Sequence, residues 1–161
     1  MEKIEGFKKL AFICMAMAAL PATALALPTV TLTLDDGSSS EADLNTGTFT
    51  VTRANDDNPG LALNVRVALT GDATNGSDYS ISPFVFVGQP NIYRVTIAAN
   101  QTSATVTLTP VLDSNEEEGD ETAEFTLVGD GSTYTVGSPV FGIITITNFT
   151  DLVFRDSFES P

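Results

Sequence analysis

Histidine and tryptophan are absent from this chain, cysteine occurs once as Cys14, and seven Lys and Arg stand against twenty-one Asp and Glu. Each scarcity removes a class of chemistry. Without histidine there is no imidazole acid–base catalysis. With one cysteine there is no intrachain disulfide and no zinc site of the Cys/His type. A formal net charge of −14 sets the chain against nucleic acid and anionic membrane surfaces. Carboxylates remain as the chemistry-bearing groups. A glycosidase would need a pair of them across a sugar cleft, normally with exposed aromatic rings for stacking. Three Tyr and no Trp make that cleft poor, so an enzyme is not expected and no catalytic residue is assigned.

Residues 1–26 read as a secretory signal peptide. Lys3, Lys8 and Lys9 precede an apolar run over residues 10–20, and Ala24-Leu25-Ala26 supplies small residues for cleavage after Ala26. The run falls short of the ~20 residues that span a membrane. The expected organisation is therefore a signal peptide over 1–26, a single domain over 27–150 and a tail over 151–161. The protein is expected to be secreted or held at the cell surface, with no direct membrane insertion after cleavage. Cys14 lies inside the apolar run and leaves with it, so the mature chain has Arg53, Arg66, Arg94 and Arg155 as its only cations, against nineteen acids.

Beyond residue 26 the pattern has period 2. Val30, Leu32 and Leu34 alternate with threonines, as do Phe49 and Val51, Val106 and Leu108, and Ile144 and Ile146. Leu61, Leu63, Val65, Val67 and Leu69 give five successive alternate positions; Tyr93, Val95 and Ile97, then Phe125 and Leu127, supply further runs. Alternation of apolar residues with β-branched polar ones marks half-buried antiparallel strands. Turn formers separate the runs at Asp35-Asp36-Gly37, Asn58-Pro59-Gly60, Asn75-Gly76, Gly88-Gln89-Pro90 and Gly129-Asp130-Gly131. The expected fold is all-β, an immunoglobulin-like antiparallel sandwich of seven strands, with an eighth short one near Phe84 to Val87. Leu63, Val65, Val67, Val106, Leu108, Phe125, Leu127, Ile144 and Ile146 are expected inward, and Arg53, Arg66 and Arg94 outward, balancing acidic neighbours.

The densest chemistry lies in residues 113–121, where Asp113, Glu116, Glu117, Glu118, Asp120 and Glu121 crowd a loop between two strands. Such a loop is either a solvated acidic segment or a site for a hard cation such as Ca²⁺, which takes six to eight oxygens.

Three segments resemble the Calx-β domain family, of which this chain looks like a single-module, secreted bacterial member. They are GDATNGSDY over residues 71–79, with Asp72 where the family has Thr; NQTSATVTLTPVLDS over residues 100–114; and Glu118-Gly119-Asp120-Glu121-Thr122. Glu41, after Ser38 to Ser40, sits where the family carries a Ser-Glu pair. The resemblance implies calcium at one end of the sandwich, with Glu41, Asp78, Asp113, Glu118 and Glu121 matching ligand positions and Asn148 offering a carbonyl oxygen. No other cofactor is implied. Two positions depart from the pattern: Ser114 replaces the second Asp after the fifth strand, and Asn148-Phe149-Thr150 replaces the acidic residues that end the last one. The implied role is structural or adhesive, toward a protein or surface polymer of unknown identity. A metal-free interaction module that keeps the fold is the alternative. The Asp-Tyr pair at Asp78 is open between metal ligand and a turn that caps its own backbone. The tail carries Phe154 and Phe158 and reads as a loose recognition segment.

Overall fold

Eleven strands form two sheets in the computed structural model, which describes residues 26–112 and 119–148. They are β1 (Thr29–Asp36), β2 (Ser38–Ser40), β3 (Gly47–Ala54), β4 (Leu63–Gly71), β5 (Tyr79–Ser82), β6 (Val85–Phe86), β7 (Ile92–Ile97), β8 (Ser103–Pro110), β9 (Glu121–Val128), β10 (Thr135–Val136) and β11 (Phe141–Thr147). The first sheet runs β10-β1-β3-β8-β5 and the second β2-β11-β9-β4-β7-β6. All nine positions expected inward are buried, joined by Val30, Leu32, Phe49, Val51, Val95 and Ile97. Phe49 of the first sheet meets Phe125 of the second with ring centroids 4.6 Å apart, and Phe84 packs edge-on against both. The threonines that alternate with this core line the outer faces, where Thr50 and Thr105 lie opposite each other with hydroxyls 3.0 Å apart.

The all-β sandwich is as the alternation requires, but three short strands were not legible. The segment Asp35-Asp36-Gly37 is a crossing between sheets, not a turn. A bulge between Leu34 and Asp36 shifts the register of β1 on β3, which resumes with Asp36 opposite Thr48, and Gly37 hands the chain to the second sheet, where β2 pairs in parallel with β11. Leu34 keeps the phase of Val30 and Leu32, opposite Phe49, but is 39% exposed. In the same way β10 adds two parallel residues to β1 before the chain crosses to β11. Both sheets are therefore mixed, and these outer strands are only two or three residues long, which limits the free edge each sheet offers a neighbour. Leu61 is in phase with β4 but 64% exposed, because the Asn58-Pro59-Gly60 turn delays the strand to Leu63.

Arg53 is a correction. It is in phase with Gly47, Phe49 and Val51, and it points inward at 4% exposure. Its guanidinium donates to the carbonyls of Gln101, Leu61 and Pro59, each at 2.8 Å, and of Ala98 at 3.2 Å, and it pairs with Asp56 at 2.9 Å. One side chain thus fastens the loop before β4 to the loop before β8. At the same end the buried Tyr134 hydroxyl donates to the Val128 carbonyl and accepts from the Arg66 amide at 2.9 Å.

Candidate metal centre

The acidic loop belongs to the opposite end, where β2, β4, β8 and β11 finish and β3, β5 and β9 begin. Pairing fixes the neighbours. Thr147 lies beside Ser40, Ile146 beside Glu121, Gly71 beside Ala123 and Tyr79 beside Pro110. Glu41 follows Ser40 directly; its amide donates to the Thr147 carbonyl at 3.0 Å, and the residue is buried, with 5% exposed. Glu121 opens β9 and Asn148 follows β11, both half-buried. The topology therefore gathers Glu41, Asp78, Glu121 and Asn148 at one end. Asp113 and Glu118 lie outside the described residues.

The loop between β4 and β5 grips both feet of the acidic loop. At the first foot the Val111 amide donates to the Asp78 carbonyl at 2.8 Å. At the second, the Ala73 amide donates to the Thr122 carbonyl at 3.0 Å, and Asp72 Oδ1 accepts from the Thr122 amide at 2.7 Å and from its hydroxyl. These donors hold the Asp72 carboxyl below its ordinary range, the hydroxyl being the larger influence and the amide the next. Asp72, which stands where the resembled pattern has Thr, is thus a clamp. Its signal in the sequence was a carboxylate directly after a glycine at a strand end. Gly71 has φ of +109°, and a Cβ there would lie 2.1 Å from the Thr122 carbonyl oxygen, so only glycine lets the chain cross this close.

Asp78 caps its own turn. Oδ2 accepts from the Thr74 amide at 2.6 Å, while the Asp78 amide donates to the Thr74 carbonyl at 3.0 Å. One carboxylate oxygen is thereby committed, and Oδ1 is left for a further partner. Among the described residues no three acidic side chains come together closely enough to hold a metal ion. The described donors are hard oxygens, which suit Ca²⁺ and not a soft metal, but they fall short of six to eight. Completing a site needs carboxylates from residues 113–118, whose two flanking segments are both anchored at this end.

Fold and site together define a two-sheet β-sandwich with an acidic loop pinned at one end. A crystal structure of the apo form of the Calx CBD1 domain superposes with a TM-score of 0.50 at 15% identity, covering 74% of this chain and 97% of that one. A crystal structure of CBD12 from CALX1.2 matches with a TM-score of 0.49 at 13% identity, over 73% of this chain and 45% of that one, too loosely to carry an argument. At these identities the likeness shows a Calx-β-like fold and nothing finer. No family model matches the chain, and no curated protein matches it.

Proposed function

We propose that this chain is a secreted, non-catalytic β-sandwich module that binds calcium at its acidic end and serves a structural or adhesive role at the cell surface. In this reading residues 1–26 direct export, 27–150 form the module and 151–161 are a recognition tail. The observation that carries the reading is the anchoring of the acidic loop at both feet by the β4–β5 loop, next to Glu41 and Asn148. Six acids within the nine positions 113–121 repel one another unless a cation lies among them. Bound cation stabilises the folded state by mass action, about 2.7 kcal/mol at a hundred times the dissociation constant.

The metal-free interaction module is a second reading, favoured by the commitment of Asp78 Oδ2 to Thr74. Thermal melting separates the two. At about 10 mM Ca²⁺, above the 10⁻⁴–10⁻³ M dissociation constants of extracellular modules, the melting temperature should rise by several degrees over a chelator control. Asp113→Ala should abolish the rise while folding in chelator as the unaltered chain does. An unchanged melting temperature in the unaltered chain leaves the metal-free module.

A further inference from the structure

Two of the four arginines beyond the signal segment face each other on the outer surface of the second sheet. Arg66 of β4 is directly opposite Arg94 of β7 in the antiparallel register, and the flanking Val65, Val67 and Val95 are buried, which turns both arginines outward. Like charges directly across a pair of strands destabilise it. In a chain with three acids for every base, a carboxylate partner for each arginine is the obvious relief. Among the described residues neither arginine has one, the single ion pair there being Arg53–Asp56. Arg94 Nε is shut off from solvent and meets no acceptor among the described residues. The Arg66 guanidinium is steadied by donation to Gln89 Oε1.

Between the two side chains lies an open cavity of about 330 Å³, lined by Asn64, Arg66, Val87, Gln89, Arg94 and Asp130. Asp130 is fixed in place. Its Oδ1 accepts from the Ser132 and Thr133 amides at 3.0 and 2.8 Å, and its Oδ2 accepts from the Thr133 hydroxyl. The Thr133 hydroxyl does most to hold the Asp130 carboxyl down, to about 2, so it stays ionised through the physiological range. Asn64 Oδ1 accepts from Thr96 at 2.8 Å, which leaves its amide nitrogen as a donor.

This set of groups selects a ligand class. Two guanidinium groups offer donors only, in a planar fork that matches a carboxylate. Asp130 brings the local charge to +1, which suits one negative charge and repels a second. As an acceptor-only group it also favours hydroxyl donors on the ligand. We propose that the cleft between Arg66 and Arg94 binds a hydroxylated monocarboxylate of the sugar-acid class, such as a uronic acid residue of an acidic polysaccharide, with its carboxylate between the arginines and its hydroxyls toward Asp130, Asn64 and Gln89. The site lies on the sheet face, apart from the acidic loop, and does not depend on calcium.

The test is a titration of the purified chain with glucuronate, at low salt and in chelator, followed by NMR at the arginine Nε–H resonances. Glucuronate should shift the Arg94 and Arg66 signals saturably, acetate should bind about tenfold more weakly, and glucose should leave them unmoved. A glucuronic acid oligomer used in place of the monomer shows whether the residue is read singly or within a chain; tighter binding of the oligomer supports the polymer as its source. Arg94→Gln relieves the like-charge pair, so it should keep the fold, checked by its backbone amide spectrum, and weaken glucuronate at least tenfold. Arg66→Gln is the second variant and should do the same. Binding of inorganic phosphate as tightly as glucuronate, a response equal to that of glucose, or unchanged affinity in both variants would overturn the assignment.

Discussion

Replacing Arg53 by Met tests whether one buried cation holds an end of the sandwich closed. Met keeps most of the aliphatic stem and removes all five guanidinium donors. Four backbone carbonyls, at Gln101, Leu61, Pro59 and Ala98, lose a charged donor, and Asp56, with 13% of its side chain exposed, loses its counter-ion. A hydrogen bond to a charged group contributes about 1.5–3 kcal/mol, and breaking a buried pair by removing one partner costs about 3–5 kcal/mol. The bonds share one side chain, so their contributions do not add. Water can reach the loop carbonyls once the guanidinium is gone, which sets the expected loss at about 3–4 kcal/mol, the lower part of that range. Against the 5–15 kcal/mol of a typical domain this is a large fraction.

The assay is urea unfolding. With a slope of about 2 kcal/mol/M the midpoint should fall by about 1.5–2 M at unchanged slope. Arg53→Lys restores a charge facing Asp56 but has no fork to span the two loops, so it should recover less than half of the loss. A midpoint shift of Arg53→Met equivalent to less than 1 kcal/mol would refute the staple, because the carbonyls would then be satisfied without it.

Gly71→Ala forces a Cβ to within 2.1 Å of the Thr122 carbonyl oxygen at a φ of +109°, so it should cost more than about 3 kcal/mol in the same assay; a cost below 1 kcal/mol would show that the clamp yields freely. Tyr134→Phe leaves the Val128 carbonyl and Arg66 amide without their shared hydroxyl and should cost about 1–3 kcal/mol, with no loss disproving the corner. Burial raises the Tyr79 and Tyr134 hydroxyls above the ordinary value of 10.0. Their neutral forms therefore favour the folded chain fully below pH 10.0, and that contribution is lost as pH rises beyond it, so the urea midpoint should hold to about pH 9 and fall by about pH 11. A flat profile over that interval would show that neither ring is sequestered.

Much of this architecture follows from period 2 alone, and the failures have physical causes. The nine inward residues were legible because each belongs to a strand long enough to show its phase. Arg53 was in phase too, and the same alternation that buries Phe49 and Val51 places it inside; its charge argued outward, and only the convergence of carbonyls from two distant loops makes burial affordable. β2, β5 and β10 escape notice because two to four residues carry no periodicity, and their pairing is decided by partners far along the chain. At the acidic end the sequence supplied the candidates and left Asp78 open between ligand and turn cap, of which the cap is present, but it did not supply the grip of Asp72 on Thr122. The Asp72 bonds depend on where the β4–β5 loop comes to rest against β9, which no local spacing encodes.

The two ends of the sandwich are closed by opposite means, and this yields a last prediction. At one end Arg53 and Tyr134 bind loop carbonyls from within, with no charge left over beyond the pair with Asp56. At the other, the clamps are carboxylates, Asp72 on Thr122 and Asp78 on Thr74, set beside a loop whose own residues are six acids in nine. Without a cation, opening of the acidic end relieves repulsion, whereas opening of the Arg53 end strands a cation and four carbonyls. Local opening should therefore begin at the acidic end. Native-state hydrogen exchange reads this directly. In chelator the amides of Val111 and Thr122, bound to Asp78 and Asp72, should exchange by a local opening, ahead of the amides of Arg53 and Arg66. Calcium at a hundred times its dissociation constant should slow the first pair by up to about a hundredfold, equivalent to ~2.7 kcal/mol, and leave the second pair little changed so long as these too open locally. An equal slowing of all four amides would show that the cation stabilises the sandwich as one unit and that the ends are not independent. No slowing anywhere would mean that Asp72 and Asp78 suffice to hold the acidic end by themselves.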